Sequence, residues 1–351
     1  MTARPLRLAT YNVEWFNALF DDNGRMLDDR ELSTRYKITR GEQLAALAIV
    51  FTAMDADGIT IIEAPDTNHR RSTVKALETF ARAAGLRARK ALIGYPSETE
   101  QEIAFLYDPD RLTARHDPVG APASSHGSHD APRFDTTFRY DLDADNISET
   151  IRFSKPPLEL AVTTDGGTKL RLIGVHAKSK NPYGAIGREA QVKRLAIENR
   201  RKQLAQCIWL RERVLEHLRA KESLIVMGDF NDGPGIDEFE KLFGHSGIEI
   251  VLGTGTDPAQ KLTDPHASMA LQSKVSACPT SARFYLAPQK RYFEALLDFV
   301  MVSPDLAAKG PDWRIWHPFN EPHVTAIPEL REALLQASDH FPVSIDIPDV
   351  I

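Results

Sequence analysis

Short apolar runs of strand length recur along this chain and alternate with helical patterns. The apolar runs lie at 6–11, 59–63, 102–107, 158–163, 169–176, 223–229, 295–303 and 341–346. Amphipathic helical patterns lie near 40–54, 70–84 and 186–220. Parallel neighbours require long crossovers, yet between 88 and 176 the runs follow one another without a helical pattern. We therefore predict a layered α/β architecture, with mixed or antiparallel sheets inside and helices on the outer faces.

A polar side chain stands where most of these runs end or are interrupted. The set consists of Asn12, Glu63, His176, Asp229, Asn231, Asp298, Asp339 and His340. A length of 351 residues would allow two domains, but this set extends across nearly the whole chain. We therefore predict a single domain over residues 1–351, whose polar groups meet at one edge of a sheet.

Two segments differ in composition from the rest of the chain. Residues 115–150 and 253–291 are rich in Pro, Ser, Gly, Asp and His, and we interpret them as loop insertions that shape the rim of a cleft. The first contains His116, His126 and His129. A metal site is one interpretation of these three histidines, but solvated loop histidines are favoured.

The charge balance and the cysteines limit the classes of function. Forty-three basic residues against 49 acidic ones give a net charge of −6, which argues mildly against a polyanionic substrate. Cys207, in a predicted helix, and Cys278, in a predicted loop, provide neither a disulfide framework nor a metal-ligand pair. No run approaches the roughly 18 apolar residues of a membrane span, and no signal-peptide pattern precedes the first strand. We expect a cytoplasmic enzyme without a membrane-spanning segment.

The motif MGDFND, residues 227–232, is the sharpest local signal. A buried strand ends at Gly228, and the glycine allows a tight turn as Asp229 leaves the sheet. A carboxylate there can hold a water molecule or a metal, whereas the neutral amide of Asn231 can bond a phosphate oxygen without repelling it. The structural alternative is an Asx turn after a strand.

The motif SDHFPV, residues 338–343, supplies an imidazole close to the end of the sequence. A carboxylate bonded to one ring nitrogen would fix the tautomer of His340 and raise its basicity. Asp298 is the predicted partner, because Asp339 points away from its neighbour in an extended chain. Asp298 interrupts an apolar run, and an acid in such a place requires a partner.

Glu63, at the end of ITIIE, is the first choice for a metal ligand. Oxygen ligands suit Mg²⁺ or Mn²⁺, and no Cys or His motif indicates structural zinc. Asn12 could bond the metal or the phosphate. His176 in HAKSK is a candidate general acid, and Lys178 two residues later is a candidate phosphate contact.

In order and spacing, these motifs resemble the endonuclease/exonuclease/phosphatase superfamily of deoxyribonuclease-like metal-dependent phosphoesterases. The resemblance extends over residues 7 to 346. It rests on TYNVEWFN, IIEAPD, EIAFLYDPDRL, VHAKSK, GDFND, LLDFVMVS and SDHFPV. It implies a four-layer α/β sandwich, in which two packed mixed β-sheets are flanked by helices.

The resemblance also implies roles for the polar set. Glu63 would bind Mg²⁺ with Asn12 and Asp339 supporting the metal, and His340 with Asp298 would form the family's dyad. Asn231 would hold a phosphate oxygen, while Asp229 would position the nucleophile or assist proton transfer.

The resemblance of His176 in its HxKS setting is closer to the nuclease and sphingomyelinase branches. In deoxyribonucleases a Glu on the preceding strand orients the corresponding His. Gln101 or Glu102 lies near that position. Phe299 stands where some members have His, a departure that leaves the chemistry intact.

The most favoured function is a divalent-metal phosphodiesterase or nuclease that hydrolyses a phosphodiester by attack of activated water, with DNA and RNA among the candidate substrates. The first alternative is a phosphatase or phosphodiesterase for a small-molecule or lipid phosphate, which the acidic balance favours. The second is a catalytically silent binding module.

Overall fold

Fifteen strands and eight α-helices make up the part of the chain that the computed structural model describes: residues 4–35, 37–122, 131–141, 149–180, 189–233, 244–272, 278–286 and 290–350. The strands are β1 (Leu6–Asn12), β2 (Gly58–Ala64), β3 (Lys90–Ile93), β4 (Glu102–Tyr107), β5 (Leu112–His116), β6 (Phe138–Tyr140), β7 (Glu149–Ile151), β8 (Leu158–Thr164), β9 (Lys169–His176), β10 (Leu224–Asp229), β11 (Ala282–Leu286), β12 (Arg291–Ala295), β13 (Asp298–Val302), β14 (Asp312–Ile315) and β15 (Val343–Ile347). The helices are α1 (Arg40–Met54), α2 (Thr73–Ala83), α3 (Glu189–Arg219), α4 (Gly247–Leu252), α5 (Pro265–Gln272), α6 (Pro304–Ala307), α7 (Pro322–Thr325) and α8 (Pro328–Ala337).

Two mixed sheets form the centre of the fold. The six-stranded sheet has the order β14-β15-β1-β2-β4-β3, and the five-stranded sheet has the order β13-β10-β9-β8-β5. Each contains one parallel pair, β1 with β2 and β9 with β10, while the other neighbours are antiparallel. Two separate hairpins, β6–β7 and β11–β12, stand outside these sheets.

The sheets pack face to face, with β1 and β2 against β9 and β10. One cluster of buried apolar residues extends from Leu6 to Val350 and includes side chains of both sheets. On the outside of the first sheet, Phe51 of α1 contacts Tyr11 of β1 with 5.7 Å between ring centroids, and α2 packs on β3 and β4. On the outside of the second sheet, α3 packs against β10. The result is a four-layer α/β sandwich.

Local signals explain the ends of the outer helices. The Thr39 hydroxyl accepts the Glu42 N–H, and the Glu42 carboxylate accepts the Thr39 N–H, which forms a capping box at the start of α1. Asp55, in a left-handed conformation, ends that helix. Helix α2 begins where the Ser72 side chain accepts the Lys75 N–H. Its apolar face is buried and its polar face is exposed, as the periodicity indicates.

The predicted fold class and three main helices agree with the structure. The segment 253–291, interpreted from composition as a loop insertion, instead contains α5 and the hairpin strand β11 in its described part.

His116 is not a solvated loop residue: it ends β5, is half-buried, and its ring centroid lies 4.9 Å from that of Tyr95. His126 and His129 lie outside the described residues. Short edge strands such as β3, β5 and β14 escaped the sequence analysis because four or five residues carry little periodicity.

Two further features concern the thiols and the helices. Cys207 is buried in α3 and Cys278 is exposed, and both are free thiols. Among the described helices, none has both the length and the apolar character needed to cross a membrane.

Candidate active site

The register of the strands brings the polar set to one edge of the sandwich. In the second sheet, Asp229 at the end of β10 pairs with His176 of β9 on one side and with Asp298 of β13 on the other. In the first sheet, Asn12 ends β1 beside Ile62 of β2, one residue before Glu63. Because β1 and β2 pack on β9 and β10, groups from the two sheets meet at this edge.

Asp229 lies at the centre of the site and bonds groups from both sheets. It is 1% exposed. Its Oδ2 accepts the Nδ2–H of Asn12 at 3.0 Å and of Asn231 at 3.2 Å, and its Oδ1 accepts the Asn231 backbone N–H at 2.7 Å. Burial raises the pKa of Asp229 to about 7, with His340 opposing and Asp298 adding to the shift. At this edge Asp229 is therefore a stronger base than an ordinary carboxylate.

The backbone around Asp229 adopts conformations that the motif residues allow. Gly228 has φ +146°, and the Asn231 φ is +50°, a left-handed value that asparagine tolerates better than most residues. The Asn231 side chain donates to the Ala177 carbonyl at 3.1 Å as well as to Asp229, so both of its N–H groups are engaged. A phosphate oxygen bound by Asn231 would replace one of these bonds.

His340 is paired with Asp298. Its Nδ1 lies 2.8 Å from Asp298 Oδ2, and both side chains are buried. Burial opposes the imidazolium, but the Asp298, Asp229 and Asp339 carboxylates outweigh it and raise the pKa of His340 well above its usual value. Asp298 rather than Asp339 is thus the group that orients the ring, and Nε2 is left for a ligand.

Ser281 supports this pair and was not identified from the sequence. Its hydroxyl donates to Asp298 Oδ2 at 2.8 Å and accepts the backbone N–H groups of Leu297 and Asp298 at 3.0 and 2.9 Å. Ser281 stands 17 positions before Asp298 within a composition typical of loops, so the chain offered no signal for it.

His176 is buried near Asp229, with 3.7 Å between its Nε2 and Asp229 Oδ2. Burial, together with the positive charges of Lys155 and His340, lowers the pKa of His176 well below its usual value. Its Nδ1 is buried without a hydrogen-bond partner among the described residues. Glu102, suggested as its orienting group, instead accepts the N–H groups of Thr67 and Ser97 at 3.3 and 2.9 Å. The structure therefore does not support that assignment.

Glu63 stands at an irregularity in β2. The β2–β4 register shifts between Ile62 and Ala64, and Glu63 has φ +60°. A left-handed glutamate in a strand is strained, and such strain is concentrated at functional sites. Its Oε2 accepts the N–H of Trp15, another left-handed residue at φ +58°, at 2.9 Å. The bulge turns the carboxylate out of the sheet toward the site.

The negative charges of Glu14 and Glu63 act on the Asp339 carboxyl group. Burial raises the pKa of Asp339 to about 7. The positive charges of His340 and Arg35 oppose this rise, and the negative charges of Glu14 and Glu63 add to it. Asn12 Oδ1 accepts the Glu14 N–H at 3.1 Å and keeps a second lone pair. Such an oxygen-only set fits Mg²⁺ or Mn²⁺.

A second group could also hold a metal ion. One potential ligand atom each from Asp229, Asp298 and His340 lies within 4.8 Å of the others. However, His340 Nδ1 and Asp298 Oδ2 are hydrogen-bonded to each other at 2.8 Å, so a metal ion would compete with this bond for both atoms. The site thus separates into a hydrogen-bonded dyad and an acidic oxygen set.

Two lysines lie near the polar set. Lys155 is partly buried: burial lowers its pKa, while the charges of Glu63 and Asp229 oppose that shift. Lys178, the candidate phosphate contact, has an exposed side chain, and its backbone N–H donates to Gln206 at 2.8 Å. Lys155 is therefore the better-placed cation for a phosphate.

Asp232, the last residue of MGDFND, holds the loop that carries Asn231. It is fully buried, and its carboxylate contacts Arg200 at 2.5 Å, Lys180 at 2.8 Å and the Gly247 N–H at 2.6 Å. Arg200 is itself 1% exposed. The sequence analysis assigned no role to this second aspartate, because its partners lie far away along the chain.

Replacing Asp232 with alanine is expected to lower the free energy of unfolding by about 3–5 kcal/mol, because Arg200 would remain buried without this carboxylate. Urea denaturation would measure the loss. Glu198→Ala is the control: it breaks the exposed Arg194–Glu198 pair and should change stability by less than about 1 kcal/mol. Equal effects of the two variants would contradict a structural role for the Asp232 cluster.

Comparisons with known proteins identify the fold. No family model matches the sequence, and no curated protein is similar to it at a significant level. Among solved structures, truncated TDP2 from Caenorhabditis elegans is 14% identical, with a TM-score of 0.50 over 98% of this chain and 97% of that one. The human Nocturnin catalytic domain is 13% identical, with a TM-score of 0.49 over 99% and 95% of the two chains.

An endonuclease/exonuclease/phosphatase family protein from Bacteroides thetaiotaomicron is 14% identical, with a TM-score of 0.48 over 98% of both chains. At such low identity these likenesses concern the fold rather than the chemistry. Over nearly its whole length, this chain has the fold of truncated Caenorhabditis elegans TDP2.

Proposed function

We propose that this protein is a divalent-metal-dependent phosphoesterase of the endonuclease/exonuclease/phosphatase type, built as a single domain, that hydrolyses phosphodiester bonds by attack of an activated water. One observation carries the proposal: the Asp298–His340 dyad and the Asn12–Asp229–Asn231 network occupy neighbouring strand ends, where Asp339 precedes His340 and Glu63 follows the residue paired with Asn12. A paired imidazole, a buried base and an oxygen-only ligand set together suit phosphoryl chemistry.

The side chains have complementary tasks in this reaction. Asp229 accepts the proton of the attacking water as the new P–O bond forms. His340, held by Asp298 through Nδ1, presents Nε2 to a phosphoryl oxygen and offsets its growing negative charge. Asn231 bonds a second oxygen, and neutral His176 serves as a hydrogen-bond donor rather than as a charged general acid. The bond to the leaving oxygen breaks without a covalent enzyme intermediate.

Glu63 would hold the metal ion, with Asp339 and the Asn12 carbonyl oxygen supporting it. A bound Mg²⁺ or Mn²⁺ supplies positive charge next to the phosphate. Lys155 would add a second positive charge, since its pKa is influenced by both Glu63 and Asp229. We assign Lys178 to the rim, where its exposed side chain would contact substrate outside the scissile phosphate.

Two substrate classes follow from the site and the charge balance. The dyad and the amides recognise a phosphate ester without specifying the groups attached to it, so DNA and RNA are candidate substrates. The net charge of −6 favours the second candidate, a small-molecule or lipid phosphate ester.

The proposal predicts hydrolysis of bis(p-nitrophenyl) phosphate that requires Mg²⁺ or Mn²⁺ and stops with a chelator. Plasmid DNA, single-stranded DNA and RNA, assayed in parallel, would separate a nuclease from an enzyme for small esters. Glu63→Gln should raise the metal concentration for half-maximal activity at least about tenfold, because a neutral amide oxygen binds a divalent cation more weakly than a carboxylate does.

Glu332→Gln, which removes a remote and exposed carboxylate on α8, is the control and should leave the metal titration unchanged. Turnover that persists in chelator would overturn the metal requirement. If no phosphate ester is hydrolysed with either metal, the chain is instead a binding module that has retained the fold.

A further inference from the structure

One surface beside the active site exposes aromatic rings around an arginine. Tyr285 and Tyr292, facing each other on β11 and β12, are 55% and 57% exposed, and their ring centroids lie 5.2 Å apart. The Arg283 guanidinium lies 4.0 Å from the centroid of Tyr292 and 5.1 Å from that of Phe319, which is 47% exposed. We call Arg283, Tyr285, Tyr292 and Phe319 the aromatic patch.

This clustering is unusual for the described surface. Five aromatic side chains stand out as exposed there, Trp15, Tyr140, Tyr285, Tyr292 and Phe319, and three of the five belong to the aromatic patch. Exposed rings grouped at one place mark an interaction site more often than rings scattered singly. The patch is therefore suited to a ligand that has flat aromatic faces of its own.

The hairpin that carries the patch is attached to the proposed catalytic residues. The Arg283 N–H donates to the Asp339 carbonyl at 2.7 Å, and Ala282 forms a β-bridge with His340. The Phe284 side chain lies on the face of the hairpin opposite to Arg283 and the two tyrosines, and its ring centroid is 5.9 Å from that of His340. One face of the hairpin thus contacts the dyad, and the other face carries Arg283 and the two tyrosines.

We propose that the aromatic patch binds unpaired nucleotides of a DNA or RNA strand that flank the scissile phosphate, by stacking their bases on Tyr285, Tyr292 and Phe319. This inference rests on the proposed phosphodiesterase function and specifies its substrate class. Stacking on aromatic and arginine faces is the usual way to bind single strands, because every base has a flat π surface.

Local charge favours a nucleic acid over a protein partner. Residues 282–295 contain three basic side chains, Arg283, Lys290 and Arg291, against one acid, Glu294, a local net charge of +2 in a chain of net −6. Glu294 pairs with Arg283 at 3.1 Å and holds the guanidinium against the rings. A positive, aromatic ribbon in an acidic protein complements a phosphate backbone with exposed bases.

The test compares binding with turnover. Fluorescence anisotropy in chelator would measure binding of labelled oligothymidine and oligouridine of about 12 nucleotides, and of a blunt duplex, to wild type, Tyr285→Ala, Tyr292→Leu and Phe319→Ala. Tyr292→Leu keeps apolar area but removes the π face. Met269→Ala is the control, since Met269 is equally exposed at 56% but lies on α5. Turnover of bis(p-nitrophenyl) phosphate is recorded for every variant with Mg²⁺.

We expect each variant of the patch to weaken single-strand binding about five- to fiftyfold, with little change for the duplex, and with turnover of the small diester unchanged. Tighter binding of oligothymidine would identify DNA as the preferred strand, and tighter binding of oligouridine would identify RNA. Wild-type affinity in the three variants overturns the inference. Absent single-strand binding with variant-dependent self-association overturns it in favour of a protein interface. A protein that binds the strand through the patch but hydrolyses no ester supports the patch and refutes the proposed function.

Discussion

Replacing His340 with alanine is expected to lower turnover of a phosphodiester by about 10²–10⁴-fold while the fold is retained. The imidazole is the only part of the dyad that can reach the substrate, because Asp298 is buried behind it and bonded to Ser281. Asp298→Asn should have a similar effect: an amide can present its N–H to Nδ1 and stabilise the wrong tautomer. Steady-state kinetics with bis(p-nitrophenyl) phosphate and Mg²⁺ would measure both losses.

His323→Ala removes an exposed histidine on α7 and is the matched control for His340→Ala. Thermal denaturation should show a similar transition in both variants, so that lost activity reports lost chemistry. Activity of His340→Ala within tenfold of wild type would exclude the dyad from the reaction.

Asp229→Asn is expected to reduce turnover by several orders of magnitude, because the amide cannot accept the proton of water. The change also affects stability. Asp229 accepts three N–H bonds, and an amide must turn one of its own N–H groups toward a donor, at a cost of about 1–3 kcal/mol. The denaturation curve must therefore accompany the kinetics of this variant.

Gly228→Ala is expected to prevent stable folding or to lower the free energy of unfolding by about 3 kcal/mol or more. The Gly228 φ of +146° is nearly restricted to glycine, and an added Cβ would overlap the carbonyl oxygen of Val175 on the neighbouring strand β9. Backbone on both sides fixes that contact, so the clash cannot relax through a side-chain rotation. Urea denaturation and the yield of soluble protein are the measurements.

Gly310→Ala is the control for this prediction. Gly310 also has positive φ, +66°, but a Cβ there would have no atom within 4 Å, so only the conformational cost of about 1 kcal/mol remains. If Gly228→Ala unfolds no more easily than Gly310→Ala, the close approach of β9 and β10 is not what requires the glycine.

The central strands and the polar groups at their ends were accessible from the sequence. Strands β1, β2, β4, β8, β9 and β10 are long, buried on both faces and rich in branched apolar residues, so they stand out as continuous runs. The residue at the end of an apolar run lies at the end of a strand, whatever the order of the strands in the sheet. The candidates Asn12, Glu63, His176 and Asp229 could therefore be named before the sheets were known.

Some features of the site could not be predicted because they depend on contacts between distant segments. Ser281 bonds Asp298 from a segment with loop-like composition, and Arg200 of α3 neutralises Asp232. The sequence analysis did not single out Lys155, whose pKa is influenced by Glu63 and Asp229, two residues far from it in the chain. Of the two residues placed near the orienting position for His176, Gln101 and Glu102, the second instead bonds backbone N–H groups.

The sequence by itself determined the class of fold and the chemical types gathered at its edge, because hydrophobic period and motif identity are local properties of the chain. Only the tertiary structure decided that Asn12 and Asn231 donate hydrogen bonds to Asp229, that Ser281 supports Asp298, and that Arg283 meets the rings of Tyr292 and Phe319. Those outcomes depend on strand order and register, which bring together side chains as far apart in the chain as Asn12 and Asp229, separated by 217 positions.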